Sequence, residues 1–245
     1  MKCYTDKDQR FIEGIIHDTF DELDKVYKAS SSNSSNVRIV GSRLLFPKYS
    51  SSNKSNPEKL RVSEQELRFA FVELFSKKCD SEHNYFYSIE TPTNEKYVFS
   101  EKICSGKAVP RKADKEDLDN KKGESARFDL TIYNSNYEKI CLVEFKNNDS
   151  DFHNYEKDFL KLSLEGDYCL SYFIDLIEAS DSGTLVNGIT PRIKKVNKEF
   201  FRNVTYVAHS LTNRGKVEKK GFDTIYDGRV LMEFEDWEKK SLFSC

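Results

Sequence analysis

An aspartate at 129, a glutamate at 144 and a lysine at 146 are the residues of this chain whose types and spacing best suit one piece of chemistry. They lie in FDLTIYNSNYEKICLVEFK, which reads as two strands, 126–133 and 139–146, joined by residues 134–138. Successive side chains of a strand point to opposite faces. In the second strand Ile140, Leu142, Glu144 and Lys146 therefore share one face, while Cys141, Val143 and Phe145 take the other. In the first strand Asp129 is expected to face with Arg127 and Thr131, away from Phe128, Leu130 and Ile132. A four-residue loop at 135–138 sets Tyr133 across from Ile140 and brings Asp129 directly opposite Glu144, with Cβ atoms roughly 4.5–5.5 Å apart.

Two acids held that close repel unless a cation lies between them or an outside charge neutralises them. Carboxylate oxygens suit a hard divalent ion, Mg²⁺ or Mn²⁺, better than zinc. Such an ion polarises a phosphoryl oxygen and acidifies a bound water. Lys146, on the same face, is placed to orient that water or to stabilise charge developing on phosphorus. The other reading of these residues is a structural ion-pair cluster of Asp129, Glu144, Lys146 and Arg127.

The elements around this hairpin must hold it in place. Residues 6–27 read as an amphipathic helix with Phe11, Ile15, Ile16, Phe20, Leu23 and Tyr27 on one stripe. Residues 64–77 are apolar on most of a helix circumference, with Ser63 as N-cap and Glu66 three residues on, a capping-box pattern. Strands are expected at 85–89 and from 97, separated by a Thr91-Pro92-Thr93 turn, and the polar stretch 100–125 reads as a loop. After the hairpin come a helix at 151–164, an aromatic strand at 168–174, a helix at 192–202 and a strand at 204–211. Residues 230–234 also have strand character, as do 37–46 between two serine-rich loops. Helix, strands, helix, strand is an α/β order around one sheet. The chain divides into a helix with Ser/Asn-rich loops at 1–57 and a larger unit at 58–245.

Composition narrows the partners. With 39 basic residues against 41 acidic ones among 245, a uniformly basic nucleic-acid binder is excluded, and any phosphate contact must be local. The six cysteines show no CxxC pair or zinc spacing and read as free thiols of a cytoplasmic protein. No stretch of about 20 apolar residues offers a membrane span. No GxSxG elbow, Walker A or GxGxxG loop is found. Other ExK matches, Glu218/Lys220 and Glu238/Lys240, lie in polar stretches with no strand aspartate in register.

Asp129 followed by Glu144-Phe145-Lys146 resembles the D…(D/E)xK signature of the PD-(D/E)xK nuclease superfamily, with Phe128 where the proline would stand. The order of elements over 62–211 is similar to that superfamily's restriction-endonuclease-like αβββαβ core, a central mixed sheet flanked by helices. The resemblance implies a Mg²⁺-dependent (or Mn²⁺-dependent) endonuclease that hydrolyses DNA, in restriction, defence or repair. It implies Asp129, Glu144 and the Phe145 carbonyl as metal ligands and Lys146 serving the attacking water. It further implies an acid from the first core helix, Glu66 or Glu73, and Lys157 and Lys161 facing a phosphate backbone. Glu90 is another acid that could approach the site. A homodimer would suit cleavage of two strands, although no dimer signal is read in the sequence. The alternative is a catalytically silent nucleic-acid-binding or assembly protein of the same fold.

Overall fold

The helix expected over 6–27 runs as α1, Asp6–Ser31, in the computed structural model, which describes residues 2–31, 44–50, 58–79, 84–99, 110–147, 152–177, 203–211, 225–226 and 229–232. Asp6 and Asp8 occupy its first turn, where the helix dipole favours negative charge. Its buried stripe is Ile12, Ile15, Ile16, Phe20, Leu23 and Val26, with Phe11 and Tyr27 partly buried at the margins. Thr19, also buried there, turns its hydroxyl back onto the Ile15 carbonyl at 2.7 Å. The second helix, α2 (Glu64–Lys78), buries Leu67, Ala70, Phe71 and Phe75 against the sheet and α1.

The sheet is mixed. Strands β3 (Phe86–Val98), β5 (Glu124–Tyr133) and β6 (Lys139–Asn147) form an antiparallel meander. Helix α4 (Phe152–Glu165) then leads to β7 (Leu170–Ile177), parallel to β6, and β8 (Thr205–Ser210) lies parallel to β7. Short strands β4 (Arg111–Lys112), β9 (Ile225–Tyr226) and β10 (Arg229–Met232) extend the edges to the order β4-β3-β5-β6-β7-β8-β10-β9. A separate ribbon pairs β1 (Lys48–Ser50) with β2 (Glu58–Leu60). The architecture is α/β, with helices on both faces of one sheet.

Each face has its own core. Phe128, Leu142, Phe173 and Tyr206 pack with Tyr155 and Phe159 of α4, and the Phe159 and Phe173 rings stack at 4.5 Å. Leu130, Ile132, Val143, Phe145, Tyr172 and Ile174 face α1 and α2, with Phe71 and Phe145 edge to face at 5.5 Å. Strand β6 is buried on both sides, which explains why ICLVEF reads as a continuous apolar run broken by a single acid.

Several expectations are corrected. Thr91-Pro92-Thr93 is no turn: β3 runs through it, with Thr91 and Pro92 paired to Phe128 and Arg127. The register shifts only beyond Pro92, where the Thr93 hydroxyl accepts the Ala126 N–H at 3.1 Å. Within 100–125, Arg111–Lys112 forms a strand and Lys115–Asp119 a one-turn helix, α3, capped by Asp114 accepting from the Asp117 N–H at 2.9 Å. The helix expected at 192–202, Lys107, and 37–43 of the expected strand lie outside the described residues; Leu44, Leu45 and Phe46 are not in a strand. Cys3, Cys141 and Cys169 are free thiols. Among the described residues no helix is long and apolar enough to cross a membrane.

Candidate functional site

The site begins with a strand that changes sides. Ala126 and Phe128 pack on the α4 face, whereas Leu130 and Ile132 pack on the α1–α2 face. Residues two apart in a regular strand share a face, so the alternation expected for Phe128, Leu130 and Ile132 is broken, and Asp129 sits at the break. Across from it on β3, between the pairs Ile89–Leu130 and Thr91–Phe128, stands Glu90 with φ at 51°, a left-handed conformation uncommon for a non-glycine residue. Backbone of this kind concentrates at functional sites.

The β5–β6 pairs read Leu130–Val143, Thr131–Leu142 and Ile132–Cys141 and end there; the same register continued by one residue would set Asp129 across from Glu144. The turn differs from the expected one. Tyr133 pairs with Lys139 rather than Ile140, because the Asn134 carboxamide accepts the Asn136 and Glu138 amides at 2.9 and 3.0 Å and tightens the loop. A bulge at Ile140 absorbs the slip, so the pairs from Ile132 to Leu130 keep the expected register. At Asp129 the ladder gives way to a side chain: its Oδ2 accepts the Phe145 N–H at 2.8 Å. That bond fixes the Asp129 carboxylate beside the backbone of the ExK motif.

Helices from both faces then bring charge to this spot. From α2, Arg68 pairs with Asp129 Oδ1, with Glu90 at 3.1 Å and with Glu64 at 3.5 Å. From α4, Lys161 lies 2.8 Å from Glu144 Oε1 and 2.6 Å from Asp158. Lys146 lies 2.8 Å from Asp158 and 3.8 Å from Glu64. Among the described residues five carboxylates thus meet three cations, leaving a formal excess of two negative charges in a site whose central acid, Glu144, is only 2% exposed.

The electrostatics follow from that imbalance. Burial, then Asp158 and Asp129, hold Glu144 well above the ordinary carboxylate range, against the pull of Lys161 and Lys146. Glu64 is raised by burial as well. Burial works against the charge on Lys146, but Asp158, Glu144 and Glu64 outweigh it and hold the ammonium above the usual lysine range. Lys146 is therefore a cation at neutral pH, able to donate hydrogen bonds and unable to accept a proton. It suits orienting a water or stabilising an oxyanion, not general-base work.

The other sequence candidates are placed as follows. The Glu66 carboxylate closes the capping box, accepting the Ser63 N–H at 2.9 Å, and the α2 acid that reaches Lys146 is Glu64. Glu73 pairs with Lys77 at 2.6 Å on the exposed side of α2. Glu90 is at the site through Arg68. The Phe145 side chain is buried in the core, so only its main chain faces the acids. Lys157 lies over the Phe99 ring at 5.4 Å, and Lys161 is enclosed by acids rather than presented to a phosphate backbone. Arg127 is exposed, and its expected place beside Asp129 belongs to Arg68. Arg68, Glu64 and Asp158 escaped the sequence reading; the i,i+4 pair Glu64/Arg68 and the i,i+3 pair Asp158/Lys161 were their only local signal. His209, without a partner by sequence spacing, meets Asp24 of α1 at 2.8 Å.

As donors for an ion, the carboxylates of Asp129 and Glu144 and the Phe145 carbonyl are hard oxygens of the kind Mg²⁺ and Mn²⁺ take, and the surplus negative charge fits a dication. Glu144 Oε1 is paired with Lys161, whereas Oε2 has no partner among the described residues. Among the described residues no third carboxylate comes close enough to these two to share an ion; a group that does meet that spacing is His17, Asp18 and Asp21 on the α1 surface, where Lys78 already pairs with Asp18. An ion between Asp129 and Glu144 would keep several waters, as Mg²⁺ usually does. No family model, curated protein or solved structure matches the chain.

Proposed function

We propose that the chain is a metal-dependent phosphodiesterase of the PD-(D/E)xK type, a nuclease acting on DNA, with Asp129, Glu144 and Lys146 at its centre. The observation that carries the reading is the charge imbalance: acids on two adjacent strands, Asp129 and Glu144, inside a largely buried cluster that among the described residues is left two positive charges short. The element order α2, β3, β5, β6, α4, β7 supports the αβββαβ core, with β4 and α3 as an insertion before its second strand.

Asp129, the free oxygen of Glu144 and the Phe145 carbonyl would hold Mg²⁺ or Mn²⁺. When bound, the ion supplies Lewis acidity toward a phosphoryl oxygen and acidity to a bound water. The chain's own groups do the rest. Arg68 and the Phe145 N–H fix both oxygens of Asp129. Lys146, held protonated, donates to the attacking water or to the charge that grows on the phosphate.

Plasmid nicking in Mg²⁺ or Mn²⁺ tests this. Wild type is expected to cut, and Lys146→Ala to lose roughly 10²–10³-fold. Cutting that survives the substitution rejects the assigned role. A second reading has its own observation: Arg68 and Lys161 already neutralise one oxygen of each acid, as in a silent nucleic-acid-binding relative. It expects DNA binding indifferent to divalent metal and no carboxylate-dependent Mn²⁺ uptake when wild type and Asp129→Asn are compared by calorimetry.

A further inference from the structure

Two lysines stand in the cluster, and donor geometry separates their roles. An ammonium has three N–H donors. Lys161 Nζ donates to the Arg127 carbonyl at 2.8 Å and is ion-paired with Glu144 Oε1 at 2.8 Å and Asp158 Oδ1 at 2.6 Å. It is thus enclosed by three oxygens, its side chain is about nine-tenths buried, and it lies 5.8 Å over the Phe128 ring. Lys146 has one short partner, Asp158 Oδ2 at 2.8 Å, and a long contact to Glu64 at 3.8 Å, so donors remain for something else.

We infer that Lys161 and Asp158 are positioning residues for the proposed metal centre. Lys161 anchors one oxygen of Glu144 so that the other turns to the ion, and Asp158 tethers Lys146 with donors to spare for the substrate. This rests on the metal-dependent reading above. Asp158 is the common joint. Its two oxygens hold one lysine each, so a single carboxylate on α4 sets the distance between the ligand-holding ammonium and the substrate-facing one. Asp158 and Lys161 are one turn apart on α4, whose Phe159 is locked into the core beside Phe173. The joint therefore moves only if the whole helix moves.

Groups that orient metal ligands change metal affinity or activity by roughly 10–100-fold when removed. The experiment is a calorimetric Mn²⁺ titration of the full chain beside the plasmid assay, on wild type, Lys161→Met, Asp158→Asn, Lys146→Ala and the Asp158→Asn/Lys146→Ala double variant. Lys161→Met is expected to weaken Mn²⁺ binding by that factor. Asp158→Asn is expected to bind Mn²⁺ much more like wild type than like Asp129→Asn, yet to lose cleavage. In the double variant the loss should be no greater than in Lys146→Ala alone, because Asp158 acts through Lys146.

Tighter Mn²⁺ binding by Lys161→Met would make Lys161 a competitor of the ion and overturn the inference. So would an Asp158→Asn variant as poor in Mn²⁺ as Asp129→Asn, which would make Asp158 a ligand, or losses that add in the double variant. Should Lys161→Met fail to fold, Lys161→Gln carries the same expectation with a donor kept. A wild-type protein that takes up no Mn²⁺ would remove the metal reading itself. Wild-type uptake with the wrong variant pattern would remove only the positioning roles.

Discussion

The two ends of the β5–β6 hairpin are built on opposite physics. Toward the turn, Leu130, Ile132, Cys141 and Val143 alternate regularly into one apolar layer, and the one-residue slip at Ile140 is absorbed without disturbing it. At the far end the alternation fails, the ladder is replaced by a carboxylate, and charges from α2, β3 and α4 converge on a largely buried spot. The first end is stable because burial is unopposed. The second is held together by pairs that largely offset their own desolvation, and it keeps a net charge. Stability and the capacity to bind are thus segregated along a single pair of strands.

Substitutions at each end sharpen that contrast. Phe145→Ala, which opens a cavity against Phe71, should cost about 3–5 kcal/mol in chemical denaturation, the largest effect expected. Arg68→Gln should cost about 1.5–3 kcal/mol by stranding Asp129, Glu90 and Glu64. Glu144→Gln should change how stability depends on pH. A carboxyl whose folded-state pKa is raised contributes its stability below the unfolded-state pKa and loses it as pH rises through the folded one. Wild type should therefore weaken between mildly acid and neutral pH relative to Glu144→Gln, and parallel melts across that range check it. Equal slopes would place Glu144 in a far more polar setting. Glu66→Ala should be mildest, about 0.5–1 kcal/mol for a lost cap, with Mn²⁺ uptake unchanged. A drop in uptake would move Glu66 from the cap to the ion.

Much of the scaffold was readable from one chain because its signals are local. The apolar period of 6–27, the cap at Ser63, and the paired strands at 126–133 and 139–146 all depend on neighbours within a few residues. The register of the hairpin as far as Leu130 with Val143 was legible for the same reason, since a short hairpin fixes it. What stayed hidden is non-local. Thr91-Pro92-Thr93 has turn composition, and its pairing with β5, together with the Ala126 N–H that β5 offers to Thr93, carries it on as strand. Arg68 reaches Asp129 across 61 residues, and no spacing rule connects them. The side change at Asp129 was invisible because the apolar pattern F-D-L-T-I is the same whichever way Phe128 turns.

The pairing of Asp24 with His209 joins the first helix to one of the last strands, across 185 residues. During synthesis α1 leaves the ribosome long before β8 exists. Its apolar stripe can first be covered by α2, but the contact of Asp24 with His209 must wait until residue 209 has emerged. Closure of this molecule is accordingly a late event with a high loop-entropy barrier, and a chain truncated before His209 would leave its earliest-made segment without the partner that locks it down.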